Sequence, residues 1–268
     1  MPSYAITGAN RGIGFAFVRQ LSAKPENVVF ALVRNLNTTE DLKNLKRSNV
    51  HILKTDISDV PGLKAAAAEV AKVTGGSLDM LINNAAYLSM ERMGLRLDEY
   101  PEGQEQLLEE DLLTFYRVNV IGVVHTINIF LPLIKKGSLK KVIVISSGAG
   151  DLDFTLTTTY DVNAPYSISK AAVNMAVAKY AGEYKEEGIA FLALSPGMVN
   201  TTPPNAPPME DLEWVRKETA KFKKQFPDFP GALTPDESVS KMLKVIDELS
   251  VDNNSGAFLS HNGNKKWL

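Results

Sequence analysis

Tyr166 and Lys170 stand four residues apart in the run Tyr166-Ser167-Ile168-Ser169-Lys170, preceded by the helix-opening Pro165. Positions i and i+4 share one face of a helix, so this spacing sets an ammonium beside a phenol. A free tyrosine titrates near ~10, and an adjacent cation favours its phenolate. The pair therefore predicts a tyrosine drawn toward the working range of a general acid–base. Taken alone, the same spacing also describes an exposed Tyr and Lys on an amphipathic helix. Ser146-Ser147 closes the apolar run 142–145. The carboxyl ends of strands in an open parallel sheet face a ligand crevice, and by alternation the two serines point to opposite sides. A hydroxyl at a strand end can equally satisfy backbone.

A second signal lies near the amino terminus, in Thr7-Gly8-Ala9-Asn10-Arg11-Gly12-Ile13-Gly14. Glycines between a strand and a helix let the backbone take positive φ and let a phosphate approach, while the new helix offers unpaired N–H groups to an anion. A tight turn without a ligand has the same composition.

These residues need a scaffold, and the pattern supplies one. Short, β-branched apolar runs at 4–7, 28–33, 50–54, 80–83, 142–146, 190–195 and 257–260 read as buried strands. Helical patterns fill 14–23, 60–74, 107–131, 164–187 and 235–249. Such alternation predicts βαβ units and one parallel sheet covered on both faces. The 268 residues suit a single α/β domain, with 44% hydrophobic and 22% charged residues excluding a disordered or fibrous chain. A net charge of −2 gives no basic excess for nucleic acid or anionic membrane. The absence of cysteine removes disulfides, zinc–thiolate sites and thiol nucleophiles, and it suits a reducing compartment. The apolar stretch 118–134 carries Asn119, His125, Asn128 and Pro132, so it reads as a buried helix and not a membrane span. No targeting segment is read at Met1-Pro2-Ser3, and a soluble cytoplasmic protein is the expectation. The three histidines, His51, His125 and His261, lack metal-ligand spacing, and no metal is expected.

The glycine spacing, Gly-x-x-x-Gly-x-Gly, resembles that of the short-chain dehydrogenase/reductase family. The resemblance recurs in order along nearly the whole chain. Asp56, in Thr55-Asp56-Ile57, follows the third strand, where the family sets an acid against adenine. Asn83-Asn84-Ala85-Ala86 is similar to the family's Asn-Asn-Ala-Gly, with Ala86 adding a methyl that tightens the turn. Asn119, in Arg117-Val118-Asn119-Val120, matches its helix asparagine, and Tyr166 with Lys170 its Tyr-x-x-x-Lys. Pro196-Gly197-Met198-Val199-Asn200-Thr201 matches the loop after its sixth strand.

The resemblance implies a Rossmann-type doubly wound sheet of about seven strands in one domain over residues 1–268. It implies a catalytic set of Asn119, Ser147, Tyr166 and Lys170. Ser147 would hold a substrate carbonyl against Tyr166, Lys170 would tune Tyr166 and bind the nicotinamide ribose, and Asn119 would hold a relay water. Nucleotide contacts fall on Gly8, Asn10, Arg11, Gly12, Ile13, Gly14, Arg34, Asp56, Ile57, Asn84, Ala85, Tyr166, Lys170, Pro196, Gly197, Val199 and Thr201. One departure stands out: Ser147 and Tyr166 are 19 positions apart. The family's usual gap is about a dozen, but loops lengthen at modest entropic cost. The longer loop is similar to that of carbonyl reductases and polyketide ketoreductases.

NAD-selective Rossmann proteins carry an acid at the end of the second strand. Here that strand ends in Arg34-Asn35, and Arg11 lies in the glycine turn, where NADP-preferring family members carry a base. Two guanidinium groups suit a 2′-phosphate, so NADP is expected, with NADPH preferred over NADH. The expected activity is reduction of a ketone or aldehyde, hydrophobic or aromatic, to an alcohol. An NAD-dependent alcohol or hydroxysteroid dehydrogenase and a catalytically idle NADP-binding sensor are the alternatives. Residues 203–233, with prolines at both ends and Trp214, Phe222, Phe226 and Phe229 between, interrupt the alternation. They read as a substrate lid, against a helix packed permanently on the body. Family members assemble as homodimers or homotetramers through 107–131 and 164–187, and long-loop members also occur as monomers.

Overall fold

The computed structural model describes residues 1–89, 91–202 and 208–268. Seven strands form one all-parallel sheet in the order β3-β2-β1-β4-β5-β6-β7. They are β1 (Ser3–Thr7), β2 (Val28–Val33), β3 (Val50–Lys54), β4 (Met80–Asn83), β5 (Lys141–Ile145), β6 (Ala190–Ser195) and β7 (Phe258–Ser260). The chain winds outward from β1 to β3, then returns to the other side of β1 with β4 and winds the opposite way. That reversal opens a crevice at the carboxyl ends of β1 and β4.

Alternate residues of each strand feed two cores. On one face Ile6, Val29, Ala31, Ile143 and Leu192 meet Phe17 of α1 (Gly12–Leu21) and Val239, Met242 and Ile246 of α9 (Pro235–Glu248). On the other, Ala5, Phe30, Leu81, Val142 and Phe191 meet Leu63 and Val70 of α3 (Val60–Thr74), Phe130 of α5 (Val123–Ile134) and Val173 and Val177 of α7 (Ala164–Glu183). Phe17, Phe30, Phe130 and Phe191 are fully buried, and truncating any one to alanine removes about 3–5 kcal/mol.

The expected helix 107–131 is a longer continuous element. It comprises α4 (Glu105–Tyr116), a π-helical turn (Arg117–Gly122) and α5. By length and composition Glu105–Ile134 could cross a bilayer, but half of its apolar stretch is buried in the protein. Two helices were not foreseen, the short α2 (Glu40–Asn44) and α6 (Leu152–Thr158). The second fills the long gap between Ser147 and Tyr166. Asp151 caps it through Oδ1, which accepts from Phe154 N at 2.8 Å, and Thr159 ends it in the left-handed conformation at φ 53°. In the excursion after β6, α8 spans Glu213–Gln225, while residues 203–207 lie outside the described residues.

The amino edge of the sheet is sutured by one carboxylate. Asp79, just before β4, accepts hydrogen bonds from Ser3 N and Oγ and from Ser138 N and Oγ at 2.6–2.9 Å, and from Leu139 N at 3.3 Å. Burial opposes its ionisation, yet these donors together hold its carboxyl below the usual carboxylate range.

Candidate functional site

The glycine turn joins β1 to α1 at the crevice. Gly8 has φ 64°, and a Cβ there would lie 2.9 Å from Ala85 Cα. A Cβ on Gly14 would collide with the Gly8 carbonyl oxygen and sit 2.6 Å from Asn84 Nδ2. The turn is therefore pressed against the end of β4. Asn84 Nδ2 donates to the carbonyls of Thr7 and Gly8 at 3.0 and 3.1 Å, while Thr7 Oγ1 accepts from Asn84 N and Ala85 N at 3.0 Å. Ala86 keeps an ordinary negative φ, so its extra methyl is accommodated without strain. Arg11 is the cap of α1 and gives it no side-chain acceptor, and no acid stands in the first turn. The helix start thus presents donors and positive dipole to an anion.

The other nucleotide candidates stand after the carboxyl ends of the neighbouring strands. Asn10 Nδ2 donates to Thr38 Oγ1 at 3.0 Å, which ties the turn to the segment after β2 where Arg34 is exposed. Asp56 Oδ1 accepts from Ser58 N at 2.8 Å, and Ile57 is buried against Gly122. Thr201 lies over the turn, its Cγ2 3.3 Å from where a Gly12 Cβ would be. Gly197, at φ 81°, packs against the His261 ring, and Val199 bridges to Leu233, returning the excursion to its origin. The residues fit a dinucleotide. There is a side-chain-free cradle at a helix start, two exposed guanidinium groups and no acid after β2. Both polar atoms of buried Asn83 and the hydroxyl of Thr202 also lack partners among the described residues.

Across the crevice, β5 ends at Ile145 and its two serines diverge. Ser146 is buried and donates to Asn174 Oδ1 of α7 at 2.5 Å, whereas Ser147 faces the crevice and accepts from Ala149 N at 3.2 Å. Tyr166 and Lys170 occupy the first turns of α7. Lys170 is buried, its Nζ donating to Ile145 O at 2.8 Å and lying 5.5 Å from the Tyr166 ring centroid. Asn119, in the π-helical turn, accepts from Tyr87 N at 2.7 Å and donates to Ser169 Oγ at 3.1 Å. Ser169 in turn donates to Tyr166 O at 2.7 Å, so Asn119 braces the loop after β4 against the helix that carries Tyr166.

The electrostatics reverse one expectation. Burial pushes the Tyr166 phenol up to about 12, and hydrogen bonding by Ser147 opposes this only in part. Burial likewise pulls the Lys170 ammonium down to about 8. Spacing alone predicts a tyrosine lowered by its lysine, but Lys170 is buried and Tyr166 half-buried, and desolvation is the larger influence on each.

Beside Ser147 opens a cavity of about 150 Å³. Its walls come from the long loop (Phe154, Tyr160), from α8 (Trp214, Glu218, Phe222) and from Trp267. Trp267 lies against Gly148, where a Cβ would sit 2.5 Å from its own Cβ, and Trp214 lies against Gly94. The aromatic stripe foreseen in 203–233 is divided. Trp214 and Phe222 line this cavity, Phe229 lines a neighbouring one of about 160 Å³ with Met198, Lys241 and His261, and Phe226 is exposed. Phe154, Glu218 and Trp267 were not singled out from sequence. Only the length of the loop pointed toward Phe154. Among the described residues, no cluster of His, Asp or Glu could hold a metal ion.

The model of the family described as short chain dehydrogenase matches residues 3–211. The chain belongs to the short-chain dehydrogenase/reductase family. It is 44% identical to the short chain dehydrogenase virK of Hypocrea virens over 278 residues, with each chain covered completely. It is also 44% identical to the short-chain dehydrogenase/reductase AacuF of Aspergillus aculeatus over 270 residues, again with complete coverage of both. Among solved structures, an NADPH-bound carbonyl reductase from chicken fatty liver superposes with a TM-score of 0.78 at 33% identity, covering 98% of each chain. The seven-stranded parallel sheet flanked by helices is this family's Rossmann-type fold. The chain is thus an oxidoreductase of the nicotinamide-using type.

Proposed function

We propose that this oxidoreductase reduces the carbonyl group of an apolar ketone or aldehyde to an alcohol, with NADPH as its cofactor. The observation that carries the reading is that Ser147, which lines the aromatic cavity, hydrogen-bonds Tyr166, whose ring centroid lies 5.5 Å from the Lys170 ammonium. The likeness to an NADPH-bound carbonyl reductase and the Arg11–Arg34 pair support the choice of cofactor. Arg11, Arg34, Asp56, Asn84 and Thr201 would hold NADPH, which when bound supplies hydride to the carbonyl carbon.

The chain's own residues then supply polarisation and the proton. Ser147 Oγ donates a hydrogen bond to the carbonyl oxygen and orients it. Tyr166, neutral at physiological pH because burial lifts it to about 12, gives its phenolic proton to that oxygen as negative charge develops. An alkoxide is a much stronger base than a phenolate, so the transfer runs downhill. Lys170 remains cationic below about 8 and stabilises the phenolate left behind. Asn119 holds the loop after β4 and the start of α7 in register, and it is the residue from which a water would return a proton to Tyr166. In this reading α8 is both wall and lid, closing over the substrate. A cytoplasmic enzyme, assembling as two or four copies, completes the proposal.

The test is NADPH oxidation by purified protein across quinones, aromatic ketones and aliphatic aldehydes, run beside Tyr166→Phe. The expected outcome is turnover of aromatic carbonyls and a loss of about 100-fold or more in the variant, with NADPH still bound. No turnover of any carbonyl, or near-normal turnover by Tyr166→Phe, overturns the reading.

A further inference from the structure

Glu218 is an uncomfortable residue for the cavity wall. It stands on α8 between Val215 and Phe222, on the inward face, and is 4% exposed. One carboxylate oxygen, Oε1, lies 2.9 Å from Lys221 Nζ. The other, Oε2, is sealed from solvent with no hydrogen-bond partner among the described residues. Leaving a buried acceptor unpaired costs about 1–3 kcal/mol, more for a charged group, so such an atom calls for a partner from outside the protein.

The fold gives Glu218 no structural duty that would repay this. Lys221 is already held by Asp161 at 2.7 Å and by the Thr159 carbonyl at 3.0 Å, so it would remain paired without Glu218. Ser147 lines the same cavity, and five aromatic side chains share its wall: Phe154, Tyr160, Trp214, Phe222 and Trp267. A void of about 150 Å³ is the size that admits a benzene ring. Because Lys221 already supplies the countercharge, what Oε2 lacks is a hydrogen-bond donor and not a second cation.

We propose that Glu218 is a specificity-determining residue whose free carboxylate oxygen accepts a hydrogen bond from a ring hydroxyl, selecting hydroxyaryl ketones and aldehydes as substrates. This rests on the carbonyl-reductase reading above. A flat ring would enter between the aromatic walls, its carbonyl at Ser147 and its hydroxyl at Glu218. A ring lacking the hydroxyl leaves that oxygen unpaired, as it already is in the free protein, whereas a ring that carries one gains a charge-assisted hydrogen bond.

Two measurements test it on the full chain with saturating NADPH. The first compares kcat/KM for acetophenone and benzaldehyde with their ring-hydroxylated isomers, in wild type and Glu218→Leu. The expected result is that at least one hydroxylated isomer is preferred by wild type about tenfold or more, as a charge-assisted hydrogen bond allows. That preference should vanish in the variant, the hydroxylated isomer losing about tenfold more than its unsubstituted partner. No preference at any ring position, or an equal loss on both members of each pair, overturns the proposal. The wild-type comparison stands even if the variant fails to fold. The second is calorimetric binding of phenol and of toluene to the NADPH-saturated protein. Phenol should bind wild type about tenfold more tightly than the variant, with toluene unaffected; phenol affinity independent of Glu218 refutes the proposal. If no carbonyl turns over but the phenol difference persists, the carbonyl-reductase reading falls while the hydroxyl site stands.

Discussion

Lys170→Met should uncouple part of the protein's stability from pH. Lys170 is 4% exposed, and burial alone, with no acidic partner, pulls its ammonium from an ordinary 10.5 to about 8. In the unfolded chain it keeps its proton to the higher value, and in the folded chain it releases it at the lower. Between the two the unfolded state binds more protons, so this group makes stability rise with pH. Its burial penalty is in full force below pH 8 and is gone above 10.5. That gap corresponds to about 3 kcal/mol. Methionine keeps the length and apolar stem while deleting the titration. Urea unfolding of both proteins from about pH 7 to about pH 10, without nucleotide, gives their difference, in which Lys141, Asp79 and every other common group cancels. Wild type should gain about 2–3 kcal/mol on the variant across that range. Tyr166, raised to about 12, acts with the opposite sign above pH 10 and is outside it. A constant difference would mean that Lys170 keeps an ordinary ammonium, and with it would go the argument that desolvation governs this site.

Arg34→Asp should weaken NADPH and favour NADH, moving the ratio of their kcat/KM values by about 1–3 kcal/mol. An unchanged ratio would leave Arg34 without a role in cofactor choice. His261 is buried against Gly197, and burial, reinforced by Lys241, pulls its imidazole from 6.5 to about 4. Its folded form is neutral where the unfolded form is charged, so stability is lost as pH falls from 6.5 to about 4, by about 3 kcal/mol. His261→Gln should flatten that part of the acid-unfolding profile, and an identical profile in wild type and variant would place the acid sensitivity elsewhere.

The sheet was legible because a strand buried on both faces has no polar alternation to confuse its ends. The expected bounds of β2, β3, β4 and β6 coincide with those found. The helix 107–131 was legible as apolar, but its π-helical turn was not, since side-chain periodicity barely registers one extra residue in the backbone ladder. α6 escaped because Thr155, Thr157 and Thr158 are poor helix formers and only Asp151 marks a start. At the site, local motifs brought out Ser147, Tyr166, Lys170 and the glycine turn. Their titration did not follow from spacing, because burial comes from the far ends of the chain. Glu218 and Trp267 belong to no motif and enter the cavity only through tertiary packing. An amphipathic α8 could have flagged Glu218 as a charge on an apolar face, since it lies between Val215 and Phe222.

Asp79 and Glu218 are both buried carboxylates, and the fold treats them oppositely. At the amino edge Asp79 has every donor it can use. The buried side chains with an unpartnered polar atom among the described residues are Thr55, Asn83, Ser167, Thr202, Glu218 and His261. All stand at or after a strand's carboxyl end or on the helices beyond it. Among the described residues the unpartnered buried groups thus gather toward one end of the molecule, which is the frustrated one. Random substitution should sort accordingly. Lesions around Asp79 lower how much folded protein a cell keeps while leaving each surviving molecule fully competent. Apolar replacements at the opposite rim yield sturdier chains that do less, because there discomfort is what leaves room for a guest.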